Sequence, residues 1–167
     1  MPDPLVSAGW LAQHLADPDL SVLDFRWYLD GGSGAAAYAQ GHIPGAVFVD
    51  LAEVTGDRSD AGRHPLPGRQ QFQAAMRRAG LRRSSQVVVY DDQGGFTAAR
   101  LWFLLRYFGH PEVYLLDGGW QAWRGQKSRE PVTVTAGDFE AAEPLREWAL
   151  DYAGLQSRLA GAVLIDA

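Results

Sequence analysis

Apolar segments of two kinds alternate along the first 125 residues. Short runs rich in β-branched and aromatic residues predict buried strands, and they lie at 21–25, 47–49, 86–90 and 112–117. Between them, apolar residues at helical spacing follow capping residues such as Ser7 and Ser33 and predict amphipathic helices. The helices cover about 8–15, 33–40, 69–79 and 96–108, with a short one from Gly118-Gly119. This alternation predicts an α/β domain, a parallel sheet covered by helices on both faces.

The alternation stops after residue 127. Residues 128–148 are polar, extended in character and contain proline, which is typical of a linker. A helix and the run "AGAVLIDA", with Asp166, then repeat the opening of the chain, where a helix precedes "LSVLDF", with Asp24. The repeat predicts a domain over 1–127, a linker over 128–148 and the truncated start of a second domain over 149–167. The alternative is that the last strand pairs with the first domain's own sheet.

Composition narrows the possible functions. The chain contains no cysteine, which excludes disulfides, thiolate metal sites and cysteine nucleophiles within it. Its net charge of −5 argues against nucleic-acid binding. No apolar run approaches the ~18 residues of a membrane span, and no secretory signal is visible, so we expect a cytoplasmic protein without a membrane partner.

Motif searches find no nucleotide, zinc or calcium signature and no serine-hydrolase elbow. The four histidines are far apart in sequence and do not form a metal-ligand set. We therefore expect neither a metal nor a cofactor.

The most unusual stretch is "VVVYDDQGGFTAAR" at 87–100, a strand, a glycine-rich loop and the start of a helix. Loops of this kind attract anions, because backbone N–H groups and a helix N-terminus converge there. This loop nevertheless carries two carboxylates, Asp91 and Asp92, and no obvious nucleophile.

Four segments in order resemble the rhodanese family of sulfurtransferases: "VLDFRW" (22–27), "GHIPGA" (41–46), "VVVYDD" (87–92) and "LLDGGW" (115–120). The loop "RHPLPG" (63–68) and the repeated opening are similar to the tandem thiosulfate/3-mercaptopyruvate sulfurtransferases. The resemblance implies a three-layer α/β/α rhodanese-like domain with a parallel sheet of about five strands in the order 3-2-4-5-1. In that alignment, "VLDFRW" corresponds to the family's first strand and its Asp-x-Arg.

The resemblance also implies a reaction. Family members hold sulfur as a persulfide on a cysteine after the central strand, taken from thiosulfate or mercaptopyruvate. Asp91 occupies that position here, and a carboxylate cannot form a persulfide. This chain is then the non-catalytic half, its partner is a second rhodanese domain of the same protein, and the complete protein binds a small anionic sulfur donor.

Two hypotheses concern the vestigial active-site loop, which comprises Asp91, Asp92, Gln93, Gly94, Gly95, Phe96 and Thr97. In one, the carboxylate of Asp91 or Asp92 turns inward and accepts hydrogen bonds from the loop's own N–H groups. In the other, both aspartates point to water at the start of a helix.

The resemblance places His64, Arg63 and Glu53 at the cleft between the two domains. In mercaptopyruvate-type members the matching histidine belongs to a proposed Asp-His-Ser arrangement. The aspartate's position is occupied here by Ala52 or Glu53, and Glu53 is the candidate substitute. The alternative is a surface histidine without such a role.

Four further residues are predicted to be structural. Asp24 and Arg26 form the Asp-x-Arg motif, and His42 can bond neighbouring backbone and hold the Pro44-Gly45 turn. Asp117 can cap the glycine-initiated helix, with Trp120 packed beneath it.

Two functions remain in competition. The complete protein is a sulfurtransferase of which this chain is the inactive half, or the chain is a stand-alone inactive rhodanese module that binds a partner protein. A third and weaker option is an anion-binding flavodoxin-like domain, which lacks a phosphate or flavin motif here.

Overall fold

The computed structural model of the chain describes residues 3–57 and 63–165. Its centre is a parallel sheet in the order β1-β5-β4-β2-β3. The strands are β1 (Leu5–Val6), β2 (Leu20–Asp24), β3 (Val47–Phe48), β4 (Gln86–Tyr90) and β5 (Val113–Leu116). Read from its other edge, this order is 3-2-4-5-1, so the predicted topology is confirmed.

Within residues 3–57 and 63–165, six α-helices surround the sheet or follow it. They are α1 (Ala8–His14), α2 (Gly34–Gln40), α3 (Arg69–Arg78), α4 (Ala98–Tyr107), α5 (Gly119–Ala122) and α6 (Tyr152–Arg158). The hydroxyl groups of Ser7 and Ser33 accept hydrogen bonds from Trp10 N and Ala36 N, so both predicted N-caps are confirmed. A 3₁₀ helix, Leu51–Val54, follows β3.

The first strand was missed by the sequence prediction. Leu5 and Val6 pair with Leu115 and Leu116 at one edge of the sheet. The strand in "VLDFRW" is therefore the second of the sheet, not the first. Two residues are too few to show an alternating pattern, so nothing in the local sequence distinguishes β1 from a loop.

Side chains of β4 alternate between two cores. Val87 and Val89 pack on one face of the sheet with residues of α3 and α4, such as Phe72 and Leu101. Val88 and Tyr90 pack on the opposite face with Leu11 of α1 and its neighbours. Because both faces of the central strand are buried, the apolar run of β4 is continuous, as expected for the middle of a three-layer α/β/α domain.

The predicted linker is extended but packed against the domain. Its residues 137–148, which we call the strap, insert the buried side chains of Phe139 and Ala141 into the core. Backbone N–H groups of the strap donate to carbonyls just beyond α3 and at the end of α4, including Phe139 N to Leu81 O at 3.0 Å and Leu145 N to Tyr107 O at 3.0 Å. The strap is therefore part of the first domain's structure.

The segment after the strap contains a helix but no strand among its described residues. Asp151 caps α6 by accepting a hydrogen bond from Gly154 N at 2.7 Å. Residues 162–165 pair with nothing in the sheet, and Val163 and Ile165 are 88% and 86% exposed. The described part of this run, residues 162–165, forms no strand and does not join the sheet. Asp166 lies outside the described residues.

His110 is buried between the start of β4 and the strap. Its Nε2 donates to the carbonyl oxygen of Ser85 at 2.8 Å, and its ring meets that of Phe139 edge to face. Burial lowers the pKa of His110 from the usual 6.5, and the Ser85 carbonyl and Glu112 partly oppose this effect.

We expect acid to destabilise the fold through His110. At pH values between the lowered pKa of His110 in the folded chain and about 6.5, the unfolded chain binds a proton that the folded chain does not. The free energy of unfolding therefore decreases as the pH is lowered through this range. Urea titrations of wild type and His110→Gln from about pH 7 to 5 measure this effect, and the variant should show the smaller decline. The control is His14→Gln, which replaces a half-buried histidine of α1. Equal decreases in the free energy of unfolding for wild type and His110→Gln would contradict the prediction.

Candidate functional site

The loop between β4 and α4 is closed around the carboxylate of Asp91, which is fully buried. Oδ1 accepts hydrogen bonds from the backbone N–H groups of Gln93 and Gly95 at 2.9 and 2.8 Å. Oδ2 accepts from those of Thr97 and Ala98 at 2.7 and 2.8 Å. The cradle of N–H donors expected for an anion is therefore present, and an internal anion occupies it.

Asp92 behaves differently from Asp91. The hydroxyl of Tyr28 donates to Asp92 Oδ2 at 2.6 Å, while Oδ1 is buried without a hydrogen-bond partner among the described residues. Burial and the neighbouring carboxylate raise the pKa of Tyr28 to about 12. Of the two hypotheses, the inward carboxylate is confirmed for Asp91, and the one in which both aspartates point to water is wrong.

Glycine geometry explains how the loop reaches around one carboxylate. Gly94 and Gly95 have φ of 70° and 94°, a region that side chains disfavour. Across the sheet edge, Trp120 N donates to Asp91 O at 2.7 Å, and a Cβ on Gly119 would lie 2.5 Å from that oxygen. Only glycine allows α5 to approach the Asp91 backbone this closely.

Asp24 and Arg26 form a buried ion pair beneath this loop. Arg26 Nη2 lies 2.6 Å from Asp24 Oδ2 and also donates to Gly41 O at 2.8 Å. The hydroxyl of Tyr90 donates to Asp24 Oδ2 at 2.6 Å, and burial raises the pKa of Tyr90. These contacts join the ends of β2 and β4 to the "GHIPGA" turn.

The predicted structural roles of His42 and Asp117 compare differently with the structure. His42 Nδ1 donates to Tyr38 O at 2.9 Å, and the two rings stack 3.9 Å apart, which agrees with the predicted role in holding the turn. Asp117 does not cap α5: the residue before the helix is Gly118, at φ 69°, and no side chain caps the helix. The N-cap position is occupied by Gly118, whose left-handed conformation directs the chain into the helix. Asp117 precedes this position by one residue and is exposed.

A pocket of about 450 Å³ lies beside His64 at the carboxyl edge of the sheet. The His64 ring meets the Trp27 ring edge to face, with centroids 5.3 Å apart. Its lining comprises Trp27, Asp50, Leu51, Ala52, Thr55, Gly56, Asp57, Arg63, His64 and Gln71. The structure thus brings the predicted Arg63 and His64 to one pocket.

Glu53 is not part of that pocket. Its carboxylate pairs with Arg78 at 2.8 Å, on the side of the 3₁₀ helix that faces α3. Among the described residues, the acidic side chains that line the pocket are those of Asp50 and Asp57, neither of which was predicted as a site residue. Asp50 accepts a hydrogen bond from Ala52 N at 2.8 Å and follows β3 closely, so its place at the carboxyl end of a strand was an available signal.

The described residues 3–57 and 63–165 contain no group of three His, Cys, Asp or Glu side chains placed to hold a metal ion. No helix within these ranges combines the length and apolar character needed to cross a membrane.

Comparisons with known proteins agree with this fold. The model of the rhodanese-like domain family matches residues 7–126. A Mycobacterium tuberculosis protein named for thiosulfate sulfurtransferase activity is 42% identical over 176 residues, which cover 98% of this chain and 60% of that protein. The 3-mercaptopyruvate sulfurtransferase of Escherichia coli K12 is 37% identical over 143 residues, covering 82% of this chain and 50% of that protein.

A solved structure shows the same architecture. The crystal structure of SseA from Escherichia coli, described as a 3-mercaptopyruvate sulfotransferase, superposes with a TM-score of 0.86 at 32% identity. The match covers 95% of this chain and 62% of that one. This chain thus spans only about 50–60% of the length of these relatives. Because the family match extends over most of the chain and the sheet order is the same as predicted, the chain belongs to the family of rhodanese-like domains.

Proposed function

We propose that this chain is the non-catalytic half of a two-domain sulfurtransferase that uses thiosulfate or 3-mercaptopyruvate. The observation that carries the proposal is the Asp91 carboxylate bound by four N–H groups of its own loop. The loop retains the shape of an anion site, but its centre is a group that cannot accept sulfur. A second domain with a cysteine is then needed for the reaction.

The chemistry belongs to that second domain. Its cysteine thiolate attacks the outer sulfur of thiosulfate, the S–S bond breaks and sulfite leaves with the bonding electron pair. With 3-mercaptopyruvate, the thiolate takes the substrate's sulfur, the C–S bond breaks and pyruvate leaves after protonation. The persulfide passes its outer sulfur to cyanide or a thiol, which regenerates the thiolate.

This chain's contribution is one wall of the substrate cleft. The pocket beside His64 opens at the carboxyl edge of the sheet, where ligands bind in α/β domains. Loops on the same edge expose apolar side chains, with Leu29 64% and Phe96 67% exposed. Exposed apolar groups around a polar pocket fit a surface that another domain covers.

The proposal is tested by thiocyanate formation from cyanide and either sulfur donor. We expect none above the blank from the 167-residue chain, and turnover from the proposed two-domain protein. In that longer protein, His64→Asn should lower kcat/KM for 3-mercaptopyruvate by roughly 100-fold or more, since a positioned general acid or base contributes about 10²- to 10⁴-fold. The matched control is His14→Asn, a half-buried histidine of α1 remote from the pocket lining.

Two results would contradict the proposal. Turnover by the pure 167-residue chain would mean that sulfur transfer does not need a cysteine. Unchanged activity of His64→Asn would mean that the pocket is not part of the substrate cleft.

The second candidate function, a module that binds a partner protein, is favoured by the exposed Phe96 at the loop tip. It gains if the longer natural protein lacks turnover while Phe96→Ser weakens its association with another protein.

A further inference from the structure

Two separate contacts lead from the Asp91 loop to His64. The first passes through Gln93, whose Nε2 donates to the carbonyl oxygen of Trp27 at 2.6 Å. The Trp27 ring in turn meets the His64 ring at an interplanar angle of 81°. Gln93 is also one of the residues whose N–H is bound by the Asp91 carboxylate. The orientation of the Trp27 ring, and of His64 against it, thus depends on how the loop is folded.

The second contact passes through helix α4. The Asp91 carboxylate binds the N–H groups of Thr97 and Ala98 and so fixes the first turn of the helix. Arg100 extends from this turn, and its Nη2 donates to His64 O at 2.9 Å and to Pro65 O at 3.1 Å. The carbonyl of Pro65 also accepts a hydrogen bond from the N–H of Gly56, another residue of the pocket lining, at 3.0 Å.

Arg100 is poorly suited to a role in stability alone. It is half-buried, its Nε is buried without a hydrogen-bond partner, and it forms no ion pair with any described residue. Desolvation lowers the pKa of Arg100. A half-buried guanidinium whose partners among the described residues are two backbone carbonyls gains little stability relative to an apolar side chain. Its definite effect is to hold the carbonyls of two consecutive residues, one of which is His64.

We propose that the Asp91 loop positions His64, with Gln93 holding the ring through Trp27 and Arg100 holding the backbone. Although it has no nucleophile, the loop thus has a structural role in the site, because it sets the geometry of the neighbouring pocket. Gln93 and Arg100 are positioning residues, since neither acts except through Trp27 or the His64 backbone. The importance of a positioned His64 for sulfur transfer rests on the proposed function, but the positioning of His64 by the loop does not.

The test is the NMR spectrum of the histidine rings in the 167-residue chain. Arg100→Met should shift the ring proton resonances of His64, because the 63–68 loop loses both bonds to α4. Gln93→Met should shift them as well, because Trp27 moves and its ring current on His64 changes. The matched control is Arg106→Met. Arg106 belongs to the same helix, and its Nη1 also donates to a backbone carbonyl, Pro111 O, at 2.6 Å. This substitution should leave the His64 resonances unchanged.

The other histidines report whether the fold survives. His42 and His110 are buried on different sides of the molecule, so unchanged resonances for both mean an intact domain. If either moves in Arg100→Met, Arg100→Lys is used instead, since it keeps the charge but loses the paired contact to two carbonyls. A shift of His64 alone supports the proposal.

His64 resonances that coincide with wild type in the folded Arg100 variant and in Gln93→Met would overturn the proposal. Because no turnover is measured, this outcome is independent of the proposed function. Conversely, a shifted His64 combined with full activity of His64→Asn in the longer protein would support the positioning and reject the role of His64 in the cleft.

Discussion

Replacing Asp91 with alanine is expected to lower the free energy of unfolding by about 3–5 kcal/mol. The substitution leaves four N–H groups in a closed loop without their acceptor, and each unsatisfied buried donor costs about 1–3 kcal/mol. Water entering the vacated space recovers part of that cost, which is why the expected loss is smaller than the sum. Urea unfolding at constant m-value measures the difference.

Two companion variants separate this effect from loss of a charge. Asp91→Asn keeps one oxygen acceptor but turns an NH₂ group towards two of the donors, so its loss should lie between wild type and Asp91→Ala. Asp30→Ala removes an exposed carboxylate that accepts one N–H, that of Gly32 at 3.1 Å, and should cost less than about 1 kcal/mol. Equal losses for Asp91→Ala and Asp30→Ala would mean that the loop does not depend on its internal anion.

Arg26→Met is expected to destabilise the domain by a similar amount, about 3–5 kcal/mol. It leaves the Asp24 carboxylate fully buried, with the Tyr90 hydroxyl as its remaining side-chain donor. It also removes the donor to Gly41 O and the cation that lies 5.0 Å from the centre of the Trp120 ring. Thermal and urea unfolding of the variant measure the loss.

The matched control for this prediction is an exposed ion pair. Arg69 lies 3.2 Å from Glu143, with side chains 47% and 78% exposed, so Arg69→Met should change stability by less than about 1 kcal/mol. Tyr90→Phe removes one donor from Asp24 and should cost about 1–2 kcal/mol. If Arg26→Met were as mild as Arg69→Met, the buried pair could not be what joins β2 to the turn.

The sequence predicted those elements of the fold whose pattern is long or strongly marked. The run "QVVVY" at 86–90 is β4 residue for residue, because four successive strand-forming residues, Val87 to Tyr90, leave little choice. The two-residue strand β1 and the packing of the strap escaped prediction for a shared reason. Both depend on contacts with distant segments, Leu115 in one case and Leu81 in the other, and leave no local period.

The site shows the same division at the level of single side chains. Asp91 could be predicted as an inward carboxylate, because a glycine-rich loop before a helix offers donors that an acidic residue can fill. Glu53 could not be placed correctly, because the decisive fact is the rotation of a one-turn 3₁₀ helix. Leu51 and Val54 of that turn are buried, which directs Glu53 to α3 and leaves the pocket to Asp50.

The strap shortens the tether between the sheet and α6. A free linker over 128–148 would reach about 70 Å when extended, at about 3.3 Å per residue. Because Leu145 N donates to Tyr107 O and the Trp148 ring packs near that of Phe103, the free length before α6 shrinks to residues 149–151, about 10 Å. In the proposed two-domain protein, this short tether would hold the second domain at a high effective concentration beside the first. The two domains would then need little intrinsic affinity to associate.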